Sequence, residues 1–227
     1  ALAEQGQIAA VEAGPAVLRK LQGVLRKGNW GVTAAVFRDH HGGAPRLLDV
    51  FPGLYEGALA GLAIDLGSTT IAAHLCDLRT GEVLASGGIM NPQIRFGEDL
   101  MSRVSYAMMN PGGDVEMTSA VREALDALAK SVAGEAGIEP SAIMETVVVC
   151  NPVMHHLFLG IDPVELGQAP FALATSSSLS LPARDLGLKA LNAEARLYTL
   201  PCIAGHVGAD AAAVALSEAP QEKDDLV

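Results

Sequence analysis

The chain holds 227 residues, half of them apolar, with 26 acidic against 15 basic side chains and a net charge of -11. That length suits one large domain or two modest ones around a packed core, and the acidic balance leaves no basic surface to neutralise a nucleic-acid backbone. No apolar run reaches the ~18 residues of a membrane span and no signal-peptide pattern opens the chain, so nucleic acid and membrane are not expected as partners and a cytoplasmic location is.

Taken in order, residues 1–57 read as the C-terminal part of a small α+β middle domain. Ala16 to Leu25 places Val17, Leu18, Leu21, Val24 and Leu25 at helical spacing, with Gly28 as a stop. Val32 to Phe37 and Arg46 to Phe51 read as two strands around a D-H-H-G-G-A-P turn, closed by Pro52-Gly53. His40 and His41 in that turn have no third ligand nearby in sequence and are read as solvated.

Residues 61–227 open on G-L-A-I-D-L-G-S-T-T. Leu62, Ala63, Ile64 and Leu66 read as a strand buried on both faces, which Asp65 interrupts just before a turn. A carboxylate in an apolar strand is costly unless it has a function. Gly67 lets the backbone approach a ligand closely, and the amides and hydroxyls of Ser68, Thr69 and Thr70 suit phosphate oxygens, with Asp65 facing the accompanying metal. The competing reading is an ordinary strand-end turn in which Asp65 bonds its own backbone. Ile71 to Leu78 and Val83 to Ile89 continue as second and third strands of a meander. The G-x-x-x-x-G-K-[ST] string of a P-loop does not occur.

Further on, Asn91-Pro92-Gln93 leads into a helix over Phe96 to Met109, with Glu98, Asp99 and Arg103 expected on its solvent face. After Asn110-Pro111-Gly112-Gly113, Asp114 is expected to cap a longer helix reaching Val132. Thr146 to Cys150 reads as a buried strand, and Asn151 at its end occupies a recurrent place for ligand contact in α/β sheets. Val153 to Leu159 reads as a short helical turn, whose adjacent His155 and His156 cannot both reach one metal. Phe171 to Leu191 is serine-rich and reads as a surface insertion or short strand. Leu197 to Ala204 reads as a strand, followed by a turn through Gly205 and Gly208 and a helix from Asp210 to Leu216. Asp210 suits the helix dipole, and equally suits a catalytic place at the carboxyl edge of the sheet beside Asp65. In the second case one hydrated magnesium would span the two acids at about 5 to 10 Å. Cys76, Cys150 and Cys202 form no C-x-x-C pair and read as buried free thiols. Both ends read as cut from a longer protein, at Ala1 without an initiator methionine and at Asp224-Asp225-Leu226-Val227.

Four segments in order carry a resemblance: Ala63 to Thr70, Asn91 to Val104, Cys150 to Pro163 and Pro201 to Asp210. They resemble the reductive activators of corrinoid proteins, in which a two-iron two-sulfur domain is linked to an actin-like ATPase domain of ribonuclease H-like fold. The resemblance implies an α/β half-domain, truncated at Val227, that opens on a three-strand meander with flanking helices. It implies ATP and magnesium as cofactors, with the iron-sulfur cluster outside this chain, and a corrinoid protein as partner; a homodimer is left open. Asp65 and Asp210 take the catalytic places, Asp65 with magnesium through water, and Gly67, Ser68, Thr69, Thr70, Asn151 and Gly208 contact the nucleotide. At Cys150 and Pro152 the family leads one to expect a glycine and a small or hydroxyl residue. The implied activity is an ATPase in the longer protein, with this stretch alone inactive. A small-molecule kinase of the same superfamily and a non-catalytic scaffold are the alternatives.

Overall fold

The computed structural model describes residues 10–39 and 42–218. His40, His41 and the C-terminal Asp224 to Val227 lie outside the described residues. The first unit is a three-stranded sheet in the order β1-β3-β2, made of β1 (Glu12–Ala13), β2 (Val32–Phe37) and β3 (Arg46–Pro52). Helix α1 (Pro15–Lys27) lies on it, with Pro15 in the first turn, Arg26 and Lys27 in the last, and Val17 packed with Leu47 and Val50. The two-residue β1, parallel to β3, is too short to leave a periodic signal.

A second sheet has the order β6-β5-β4-β7-β9-β8. Its strands are β4 (Ala60–Leu66), β5 (Thr70–Asp77), β6 (Val83–Met90), β7 (Ile143–Cys150), β8 (Leu179–Pro182) and β9 (Arg196–Thr199). β4, β5 and β6 form the antiparallel meander, while β4, β7 and β9 run parallel. A meander whose first strand also begins a parallel run is the ribonuclease H-like arrangement of an actin-like ATPase half-domain. Helices α2 (Leu100–Met109), α3 (Gly113–Glu135) and α4 (Pro152–Leu159) close the core. The predicted stripe of Met117, Val121, Leu125, Leu128 and Val132 meets Leu62, Ile64, Ile71 and Leu75 there, each buried Leu or Ile contributing roughly 2 kcal/mol. Helix α5 (Ala209–Glu218) packs against β7.

Several expectations need correction. β4 is covered on one face only: Leu62, Ile64 and Leu66 are buried, whereas Ala63 and Asp65 are exposed. The expected helix over Phe96 to Met109 divides into a 3-10 turn, Pro92–Phe96, and α2, because Asp99 caps α2 by accepting from the Ser102 amide at 2.7 Å. Arg103 is not on a solvent face but fully buried. At α3 the capping position belongs to Gly112, in the left-handed region at φ 85°, and Asp114 acts from inside the first turn through the dipole. Phe171 to Leu191 is no mere surface insertion, since it contains β8 and sends Ala183, Leu186, Leu188 and Leu191 into the core. β9 ends at Thr199, two residues before Pro201, whose missing amide proton cannot continue a ladder.

The two units are joined by buried polar contacts. Asp49 of β3 accepts from Asn192 Nδ2 at 2.7 Å and also contacts Lys20. Glu194 accepts from the Ala16 amide at 3.2 Å, so it caps α1 from the far end of the chain.

Candidate phosphate site at the carboxyl edge of the sheet

The turn after β4 is shaped from behind. Asn91 Nδ2 donates to the Gly67 carbonyl at 2.8 Å, the Asn91 amide donates to the Thr69 carbonyl at 2.8 Å, and Arg103 Nη2 donates to the Ser68 carbonyl. Three successive carbonyls are therefore held inward. A Cβ on Gly67 would lie 2.5 Å from the Thr70 carbonyl oxygen, so the tightness of the turn requires glycine. Thr69 and Thr70 are exposed, and Gly67 and Ser68 half-buried, at the edge where β4 ends. Such a turn can offer amides and hydroxyls to an anion without competing carbonyls.

Asn91, Gln93 and Arg103 were missed as part of this site by sequence reasoning. The Asn91-Pro92-Gln93 segment was visible, but nothing local marks Arg103 as buried. Asn91 Oδ1 accepts from the Gln93 amide at 2.9 Å, Gln93 Nε2 donates to the Met117 carbonyl at 2.9 Å, and Arg103 Nε donates to the Gly97 carbonyl at 3.0 Å. All three side chains are buried.

Across the sheet edge, Asp65 pairs in register with Val149 and Leu66 with Cys150, so β4 and β7 end side by side. Asn151 follows at once and caps α4, its Oδ1 accepting from the Met154 amide at 3.0 Å. The Gly205 to Gly208 turn lies against the same edge: a Cβ on Gly208 would sit 2.5 Å from the Cys150 carbonyl oxygen, 2.6 Å from Asn151 Cα and 2.8 Å from an Asp210 carboxylate oxygen. Asp210 stands in the first turn of α5, where its Oδ1 accepts from the Ala211 amide at 2.8 Å. Partial desolvation, and after it the charge of Asp210, raises the Asp65 carboxyl. Burial pushes the Cys150 thiol well up, helped by Cys202, Asp210 and Asp65. Two carboxylates and two free thiols thus converge on one edge. The pair Asp65 and Asp210 lies within electrostatic reach, as a cation between them requires.

Among the described residues no group of three or more His, Cys, Asp or Glu side chains forms a metal cage. Two acids beside a phosphate turn fit magnesium instead, which keeps several waters and relies on one or two carboxylates plus phosphate oxygens. His155 and His156 are buried rather than ligating: His156 Nδ1 donates to the Pro152 carbonyl at 2.9 Å and its Nε2 accepts from the Ala174 amide at 3.0 Å.

Residues 60–222 match a family model described as the RACo middle region, and residues 1–57 match one described as the RACo linker region. The chain belongs to the RACo family, the reductive activators of corrinoid proteins. A RACo relative, the corrinoid activation enzyme RamQ of Eubacterium limosum, is 34% identical over 179 residues, covering 78% of this chain and 30% of RamQ. A solved RACo structure, a reductive activator for corrinoid, iron-sulfur protein, matches with a TM-score of 0.87 at 31% identity, over 99% of this chain and 35% of its own. The chain therefore spans about a third of the length of these RACo relatives.

Proposed function

We propose that this chain supplies the first phosphate-binding half of an ATP site, and that ATP binding there drives reductive activation of a corrinoid protein. The observation that carries this reading is the Gly67 to Thr70 turn, whose carbonyls are tied inward while Asp65 and Asp210 converge beside it. In this arrangement the turn's amides and the hydroxyls of Ser68, Thr69 and Thr70 hold phosphate oxygens. Asp65 holds the water shell of magnesium, Asp210 orients a water toward the phosphate chain, and Asn151 and Gly208 keep the opposite wall close.

Magnesium and ATP supply the charge and the free energy, and a two-iron two-sulfur cluster elsewhere in the protein supplies the electron that reaches cobalt. Family membership supports that assignment. The work of this chain is closure: an actin-like half grips phosphate and pivots on the parallel strands, shifting the populations of open and closed forms.

The test uses the full-length protein. Asp65→Ala is expected to reduce ATP turnover by at least about a hundred-fold, as loss of a magnesium-holding group does, without lowering the melting temperature. Cobalt reduction, followed by the absorbance of the corrinoid partner, should fall with it. A folded Asp65→Ala protein that turns over ATP at the wild-type rate would return Asp65 to a turn-forming role and remove the site.

A further inference from the structure

Arg103 is the largest of the fully buried side chains, and it carries a charge that no neighbouring acid neutralises. Among the described residues no carboxylate forms an ion pair with it, and Asp99, the one acid whose charge acts on it, is exposed and already committed to capping α2. Its other contacts are neutral: the Gly97 and Ser68 carbonyls, Gln93 Oε1 at 3.4 Å and Met154 Sδ at 3.2 Å. A buried guanidinium without a counter-charge is expensive, and neutral acceptors offset that cost only in part. The guanidinium lies directly behind the turn that the preceding section assigns to phosphate, one peptide unit from its outward amides.

We propose that Arg103 is a positioning residue of the phosphate turn, and that the anion held on the turn's outer side is the counter-charge for its buried guanidinium. This inference rests on the phosphate reading of Gly67 to Thr70 and deepens it. Two physical effects act together. The fork of Nη2 and Nε bonds fixes the Ser68 and Gly97 carbonyls, so the amides that follow stay aimed at the ligand before it arrives. The positive charge then acts on the anion through a thin, low-dielectric layer where screening by water is weak. Asn91 assists by holding the Gly67 and Thr69 carbonyls on either side.

The test compares ATP with adenosine in calorimetry on the full-length protein, because only ATP brings the phosphates. Arg103→Met is expected to weaken ATP by at least about ten-fold while adenosine changes by less than about two-fold. Arg103→Lys keeps the charge but loses the fork, and should fall between wild type and Arg103→Met. Gln93→Glu tests the charge alone, since it places a carboxylate against the intact guanidinium. It is expected to weaken ATP by about ten-fold with adenosine unchanged, and it serves alone if Arg103→Met does not fold. ATP affinity within about two-fold of wild type in Gln93→Glu and Arg103→Lys, or equal losses for ATP and adenosine, would show a purely structural arginine and overturn the proposal. A wild-type protein that binds ATP no better than adenosine would instead overturn the phosphate reading itself, and this inference with it.

Discussion

His155 is buried with neither ring nitrogen hydrogen-bonded, while the neighbouring His156 has both engaged. Burial, with a smaller push from His156, lowers the His155 pKa from 6.5 to about 4. The unfolded chain therefore binds a proton that the native state refuses, and stability is lost as pH falls from 6.5 toward 4. The loss is on the order of 3 kcal/mol across that window. His155→Leu removes it, so urea unfolding at pH 7 and pH 4.5 should give the variant a smaller loss than wild type; equal losses would show that His155 does not titrate in this way. Asp65 has the opposite sense. Its raised carboxyl means the native state holds a proton more tightly than the unfolded chain, so stability falls as pH rises through a window that opens at 3.8. That is why replacing Asp65 is expected to spare or raise stability at neutral pH while removing function.

At the level of elements, the site depends on how closely the Gly205 to Gly208 turn seats on the end of β7. Gly208→Ala places a methyl 2.5 Å from the Cys150 carbonyl oxygen and 2.6 Å from Asn151 Cα, both backbone atoms that move only with their elements. The turn must lift, which is expected to cost about 1 to 3 kcal/mol, in the range of overpacked sites. Gly134 in α3 is the control: nothing lies within 4 Å of its added Cβ. Gly134→Ala should instead stabilise by about 0.5 to 1 kcal/mol through helix propensity. Thermal melts of both variants check the pair, and a Gly208→Ala protein as stable as wild type would mean the turn is not seated as described.

On the scale of the whole molecule, the linker unit and the sheet unit share buried polar contacts rather than a continuous apolar core. The Asp49 to Asn192 bond spans 143 positions and the Ala16 to Glu194 bond spans 178. Truncating either partner leaves a buried donor or acceptor without its mate, at about 1 to 3 kcal/mol. Asn192→Ala combined with Glu194→Ala should speed amide hydrogen exchange in β2 and β3 while leaving β4 and β7 protected. Uniform acceleration throughout would show that the two units unfold as one.

Local pattern alone reached the meander, the phosphate turn, the α3 stripe and the β7 strand, because each rests on periodicity or on a glycine within a few residues. Those signals are written along the chain. It also brought out Asp65, since a lone carboxylate in an apolar run stands out against its neighbours. Arg103 was beyond it: helical periodicity assigns a charge to solvent, and only the packing of α2 against the turn, with Gln93, Gly97 and Met154 supplying acceptors, makes its burial tolerable. The core role of Ala183, Leu186, Leu188 and Leu191 was likewise hidden, as irregular backbone carries no period. Glu194 at the N-terminus of α1 and Asp210 beside Asp65 belong to the same class. The strand order that brings those ends together is decided by which apolar faces cover one another in three dimensions, and a linear pattern does not contain that choice.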